Sequence, residues 1–257
     1  MKINFVPCDF LDIEEFVDEY EASLASPIDS FLEDHVMESQ CFAIAMDTVY
    51  IGYFSVYDKE LLTQFYVRKP YRSLGQEIFF KIKRMKNIRC AFVSTGDEFF
   101  LSHALDEYRT MEKQAYFFQD AKDLIKEGKI DQTIHIRLAE ERDMEEVVEK
   151  SEGFYDNLEE SIWNQEIYIA EKSNRIVGFG IIENGSIMRN YASIGMYTVA
   201  EFRQQGIGRN ILLMLKEIVY SNGMKPIAGC WYYNHESKKT LESAGMYTDT
   251  RLLKIHY

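Results

Sequence analysis

Two stretches of this chain, "FYVRKPYRSLGQE" at residues 65–77 and "MYTVAEFRQQGIG" at 196–208, superimpose at a constant offset of 131. Tyr66 falls on Tyr197, Arg72 on Arg203 and Gly75 on Gly206. The flanking segments agree. "MKINFVP" and "TIHIRLAEE" open the two copies as strands, and each is followed by an acidic helical stretch, "LDIEEFVDEYEAS" and "RDMEEVVEKSEGF". Paired strand-like runs come next, "CFAIAMD" with "VYIGYFSVYD" and "EIYIAEK" with "RIVGFGIIENG". The second pair meets at Ser173 and Asn174, as a tight hairpin does. A period this long exceeds any solenoid repeat and denotes a duplicated domain. The expected units are 1–130 and 131–257, linked through "DAKDLIKEGKIDQT" (120–133) with a break near Gly128.

Within the second copy the pattern reads strand, helix, short helix, two hairpin strands, a strand over roughly 190–199, a glycine turn, helix, strand, helix and closing strand. That order is an α/β class of fold, with mixed α+β sheets whose front half is mostly antiparallel. The helix after the turn carries Ile207, Ile211, Leu212, Met214, Leu215, Ile218 and Val219 on a 3.6-residue period and stops near Asn222 and Gly223. The expectation is two tandem units, each a central, mostly antiparallel sheet flanked by helices.

Charge narrows the partners. The net charge of −13 is shared: residues 1–130 hold 15 basic against 23 acidic side chains, and the remainder 14 against 19. Such a surface repels phosphate backbones, so no nucleic-acid partner is expected, whereas small cationic amines are mildly attracted. No apolar run approaches the roughly 18 residues of a membrane helix, and the N-terminus turns acidic where a signal peptide would be apolar. A cytoplasmic protein without a membrane partner is expected. Cys8, Cys41, Cys90 and Cys230 lie far apart with no CxxC pair, and the five histidines are scattered, so no metal site is expected. Cys230 has no histidine in fixed relation to it and reads as a core thiol.

The turn "RQQGIG" is the chemically pointed feature. A helix N-terminus leaves backbone N–H groups without intrahelical acceptors and carries partial positive charge, so it favours an anion. Gly206 and Gly208 would let an oxygen-rich ligand approach the backbone, while Arg203 and Arg209 offer charge-assisted contacts. A diphosphate fits this description, as does a plain strand-to-helix turn. Neither a Walker loop nor a three-glycine dinucleotide fingerprint is present.

With "NHESKKTLESAGM" following about 30 residues later, the whole second copy resembles the GNAT superfamily of acyl-CoA-dependent N-acetyltransferases. The resemblance implies that Met196, Tyr197 and Thr198 offer strand backbone to a pantetheine arm. It implies that the loop Arg203, Gln204, Gln205, Gly206, Ile207 and Gly208 binds the pyrophosphate of acetyl-CoA, with Arg209 beside it. Asn234 and Ser237, at N-x-x-S spacing, would meet the pantetheine arm. Three positions depart from the family pattern: Ala200 replaces a proline, Met246 an aromatic residue, and Leu241 the tyrosine that in many relatives protonates the departing thiolate. In the first copy Glu77 falls where Gly208 stands in the second, and no N-x-x-S follows, although His103 and Asp106 lie near that register. The first unit is therefore expected to be a degenerate acetyltransferase-like domain that shapes the groove.

Acetyl transfer needs a neutral amine, a donor for the developing oxyanion and a proton for the thiolate. A strand N–H near Met196 or Thr198 is the donor that the resemblance implies. Glu183, ending "GFGIIE", is the candidate base, against the alternative of a solvated strand-end acid. Tyr233, beside Asn234, is the nearest phenol for the acid role, against groove packing or proton supply by solvent. Phe154, Tyr155 and Trp163 fall where relatives place their acceptor walls. The expected function is an N-acetyltransferase acting on a primary amine of a small molecule or peptide by direct attack in a ternary complex. The alternative is an acyl-CoA-binding sensor or scaffold. Amino acids, polyamines, aminoglycosides, peptide N-termini and lysine side chains are all compatible acceptors. Two fused copies also mimic the paired domains that relatives form by dimerising.

Overall fold

Residues 2–121, 130–155 and 157–257 are described by the structure, a computed structural model. The break expected near Gly128 lies outside the described residues. The first copy runs β1 (Ile3–Cys8), α1 (Glu14–Glu21), α2 (Ser30–Met37), β2 (Gln40–Met46), β3 (Val49–Tyr57), β4 (Leu61–Val67), α3 (Gly75–Lys86), β5 (Cys90–Ser94), α4 (Glu98–Ala104) and β6 (Thr110–Asp120). The second repeats that order as β7 (Ile134–Leu138), α5 (Met144–Ser151), α6 (Leu158–Trp163), β8 (Ile167–Lys172), β9 (Arg175–Asn184), β10 (Tyr191–Thr198), α7 (Ile207–Ser221), β11 (Lys225–Trp231), α8 (His235–Ser243) and β12 (Met246–His256). Ser173 and Asn174 both take left-handed φ, 52° and 58°, as a two-residue hairpin turn requires.

The repeat suggests two sheets, but there is one. Its twelve strands follow the order β1-β2-β3-β4-β5-β12-β6-β11-β10-β9-β8-β7. Each copy sends its last strand into the other: β12 lies antiparallel to β5, β6 lies antiparallel to β11, and the two exchanged strands pair with each other. The reason lies in the strand faces. Ala115 and Phe117 of β6 pack into one core, while Tyr116 and Phe118 pack into another on the opposite side. A strand apolar on both faces is stable only inside a covered sheet.

Helices α3, α4, α7 and α8 cover one face of the sheet, and α1, α2, α5 and α6 cover the other. Contacts between copies are specific as well as apolar. Glu33 of α2 accepts from the amides of Ser186 and Met188, both at 2.7 Å, which fixes α2 on the second copy. No helix among the described residues is long and apolar enough to cross a membrane.

One buried charge departs from the apolar pattern of α7. Lys216, 2% exposed, places Nζ 2.7 Å from Asp120 Oδ1 on β6 and donates to the carbonyl of Ala244 at 2.9 Å. The Tyr220 hydroxyl donates to the other oxygen of Asp120. Removing one partner of such a pair strands the other in a low-dielectric interior, at a cost of about 3–5 kcal/mol. Lys216→Ala should therefore lower the urea midpoint by that equivalent, and Lys216→Met combined with Asp120→Leu should recover most of the loss. An unchanged midpoint for the single variant would show that the pair does not hold α7 to β6.

Candidate functional site

The parallel ladder between β10 and β11 is short. It joins Tyr191–Ser193 to Lys225–Ile227 and ends there. Beyond that point β10 stays paired with β9 as far as Thr198, and β11 stays paired with β6 as far as Trp231. The two strands diverge, and the backbone of Ile194–Thr198 borders the opening on one side.

At the wide end of this opening sits the start of α7. Gln204 and Gly206 adopt φ of 62° and 77°, a reversal that suits glycine at the N-cap. No side chain caps the helix and no acidic residue stands in its first turn. Gly208 allows close approach, for a Cβ there would lie 3.0 Å from Met196 Sδ, 3.1 Å from Thr198 Oγ1 and 3.2 Å from Thr240 Cγ2. Asn234 caps α8, its Oδ1 accepting from the amide of Ser237 at 3.0 Å. Gly208 thus seats the start of α7 against Met196 and Thr198 of β10 and Thr240 of α8.

The two arginines each donate to a main-chain carbonyl. Arg203 donates through Nε to the carbonyl of Thr198 at 3.1 Å and through Nη2 to the Tyr197 hydroxyl at 3.1 Å, tying the turn to β10. Arg209 donates to the carbonyl of Ser243 at 2.8 Å, where it caps the end of α8. Gln205 donates to the carbonyl of Glu201 at 3.2 Å. Ile207 packs into the core beneath α7. The Tyr197 side chain lies on the opposite face of the sheet and donates to Glu152 at 2.8 Å.

The first copy has the same arginine and a different turn. Arg72 Nε donates to the carbonyl of Val67 at 3.3 Å, five residues back, as Arg203 does to Thr198. A 3-10 helix, Lys69–Leu74, then runs straight into α3, and the amide of Gly75 donates to the carbonyl of Arg72. No left-handed residue interrupts it. Phe99 and His103 of α4 lie against Gly75, where a Cβ would collide with His103 Nε2. The Arg72 guanidinium stacks 4.7 Å above Phe99. Glu77 is exposed and pairs with Lys81 at 2.6 Å on its own helix.

On the other face of the sheet the opening leads into a cavity of about 240 Å³. Asp29, Ser30 and Phe31 reach it from α2 of the first copy, Glu183 and Ser193 from β9 and β10, and Gly229 and Trp231 from β11. The Ser30 hydroxyl donates to Glu183 Oε2 at 2.7 Å, and its amide donates to Ser193 Oγ at 2.8 Å. Asp29, 5% exposed, caps α2 through Oδ1, which accepts from the amide of Leu32 at 3.1 Å. Its Oδ2 rests against Gly229, where a Cβ would collide with it. Burial pushes Asp29 up to about 7, opposed by the Leu32 amide. Burial also raises Glu183, opposed by the Ser30 hydroxyl.

The remaining candidates divide. Half-buried Tyr155 faces Glu183, whose charge adds to burial in raising its phenol, and Tyr155 Oη has no hydrogen-bond partner. Phe154 packs against Tyr197 at 5.3 Å. Trp163 is 86% exposed on α6 and is absent from the cavity wall. Tyr233 is exposed and stands edge-on to Trp231, with ring centroids 5.2 Å apart. Leu241 lies in the core. Burial raises the Cys230 thiol to about 11, which leaves it a poor nucleophile. Sequence reasoning missed Asp29. The segment "SPIDSFLEDHVM" shows a cap before a helix, but nothing local places it beside a strand about 150 residues away, the spacing at which Ser30 meets Glu183.

Comparison with known proteins agrees with this fold. The family described as Acetyltransferase (GNAT) domain matches residues 10–121, and that described as Acetyltransferase (GNAT) family matches residues 132–246. A GNAT-family acetyltransferase from Colwellia psychrerythraea superimposes with a TM-score of 0.86 at 19% identity, covering 100% of both chains. A tandem GNAT protein from the clavulanic acid biosynthesis pathway gives 0.63 at 12% identity, covering 100% of this chain and 98% of the other. A GCN5-related N-acetyltransferase from Sphaerobacter thermophilus gives 0.64 at 13% identity, covering 98% and 95%. At these identities the likeness is one of fold. A search of curated proteins returns no match.

A raised folded-state pKa means that the protein favours protonated Asp29. Its stabilising contribution is full below the ordinary value of 3.8 and is lost as pH rises through about 7. Asp29→Asn, which cannot ionise, should therefore melt higher than the wild type at about pH 8, with the gap closing by about pH 3. Parallel melting curves at both pH values would contradict the burial of this carboxylate.

Proposed function

Because the chain belongs to the GNAT family of acetyltransferases and carries two of its domains in tandem, we propose that it transfers an acetyl group from acetyl-CoA to a primary amine of a small molecule or peptide. In this reading the chemistry belongs to residues 131–257, and residues 1–130 form a unit that has lost its own cofactor turn. The supporting observation is the divergence of β10 from β11, with an uncapped helix start on one face of the sheet and a carboxylate-lined cavity on the other.

The diphosphate would rest on the amides at Gly206–Gly208, and the pantetheine arm would run along β10 past Met196 towards Asn234 and Ser237. The acetyl carbonyl would then lie in the opening, where a β10 amide near Met196 or Thr198 donates to the developing oxyanion. Glu183, half-buried and held by Ser30, takes the proton of the incoming amine. The amine lone pair forms the C–N bond as the C–S bond breaks, and Tyr233 or solvent returns a proton to the thiolate. No covalent enzyme intermediate is required.

Substituting Gly206→Glu places a carboxylate at a positive helix end and a Cβ on a left-handed residue, so acetyl-CoA affinity should fall at least about tenfold by calorimetry. Deuterium exchange at 206–210 should be slowed by coenzyme A in the wild type alone. Undiminished affinity in the variant would place the diphosphate elsewhere. Glu183→Gln should lower kcat by about a hundredfold or more. Because a general base works only when ionised and Glu183 is raised, wild-type rates should drop on acidification above the ordinary glutamate value, and the variant should lose that limb. Acetyl-CoA binding without thiol release across an amine panel would favour the sensor reading, to which the buried Leu241 is suited.

A further inference from the structure

The cavity beyond the thioester position holds two carboxylates, one from each copy of the repeat. Glu183 comes from β9, and Asp29 comes from the N-terminal cap of α2. Glu183 already has a donor in Ser30. Asp29 Oδ2 does not: Oδ1 accepts from Leu32, while Oδ2 has no hydrogen-bond partner among the described residues, although the side chain is 95% buried by its 5% exposure. A carboxylate oxygen that faces a cavity without a protein donor is open to a cation there.

Three other buried acids are served, whereas Asp97, unpartnered at Oδ2, lies away from this cavity. Asp120 faces Lys216, Asp143 faces Arg137, and Glu33 holds two backbone amides. None of the residues lining the cavity is a lysine or arginine. Gly229 is what admits Asp29, since any side chain there would expel it. The walls add aromatic faces at Phe31, 40% exposed, and Trp231, 59% exposed, which suit a cation. The volume of about 240 Å³ corresponds to roughly eight water molecules of liquid.

We propose that this cavity selects a small dicationic amine without a carboxylate, with one ammonium held by Asp29 and the other presented to Glu183 for acetylation. The inference rests on the acetyl-transfer reading for the second role and on the cavity alone for the first. The reacting ammonium gives one proton to Glu183 and becomes the nucleophile. Its C–N bond forms as the C–S bond breaks, and its second proton passes to the thiolate, so the products are the monoacetylated diamine, coenzyme A and one proton returned to solvent from Glu183. The far ammonium keeps its charge on Asp29 throughout. An amino acid is disfavoured, because its carboxylate would enter a cavity that already holds two.

The test compares 1,4-diaminobutane, 1-aminobutane and 2,5-diaminopentanoic acid as acceptors for the wild type, Asp29→Asn and Asp29→Ser. Asparagine and serine both cap helices, so α2 keeps its start, and acetyl-CoA affinity reports that each variant is folded. A hydrogen bond to a charged group supports a preference of about ten- to a hundredfold in kcat/KM for the diamine over the monoamine. Both variants should collapse that ratio. A ratio untouched by the variants, or an amino acid used as well as the diamine, overturns the proposal. If the wild type transfers no acetyl group, calorimetry with 1,4-diaminobutane separates the two claims. Diamine binding that Asp29→Asn weakens about tenfold or more would sustain the site while removing the enzyme reading. Binding indifferent to Asp29 would overturn the site itself.

Discussion

The antiparallel pairing of β12 with β6 is the contact on which the rest of the molecule depends. These strands end the two copies, and each lies beside the other copy's fifth strand. Because of the exchange, α7 of the second copy packs over a strand of the first, and Lys216 meets Asp120. The same exchange brings α2 of the first copy over β11, so that Asp29 reaches Gly229. A cavity with walls from both copies follows from strand order, without any dedicated interface.

The copies also show how a shared scaffold can leave a helix start open or closed through a few residues of turn. Both retain an arginine donating to a strand carbonyl five residues back. In the second copy left-handed Gln204 and Gly206 break the chain before α7, leaving the helix start open. In the first copy the turn stays helical and the Gly75 amide is spent on the Arg72 carbonyl, while Phe99 and His103 occupy the adjoining space. Glu77, the residue that sets the copies apart in sequence, turns to Lys81, so the closure is steric more than electrostatic.

What the sequence made legible was local. The offset of 131, the hairpin at Ser173 and Asn174, the apolar stripe of α7 and the glycine turn all follow from residues within a few positions of one another. Glu183 was visible as an acid at a strand end, although its burial is not a property of that strand, since Ser30 and Asp29 of the other copy cover it. The intrachain contacts of Arg203 and Arg209 were illegible for a similar reason. Charge beside a glycine turn suggests a ligand contact, and only the fold adds the carbonyls of Thr198 and Ser243 as acceptors. Strand exchange was illegible because an apolar strand fits the open edge of either copy equally well, and only chain length and connection geometry choose between them.

The crossed arrangement bears on the order in which the protein can be made. β5 acquires its outer neighbour only from residues 246–256, the last strand of the chain. While a ribosome is still elongating, the first unit therefore exposes a bare sheet edge, and its own β6 has no lasting seat until β11 has emerged. Completion of the sheet therefore waits until residues 246–256 have emerged, which makes that strand a checkpoint for both units.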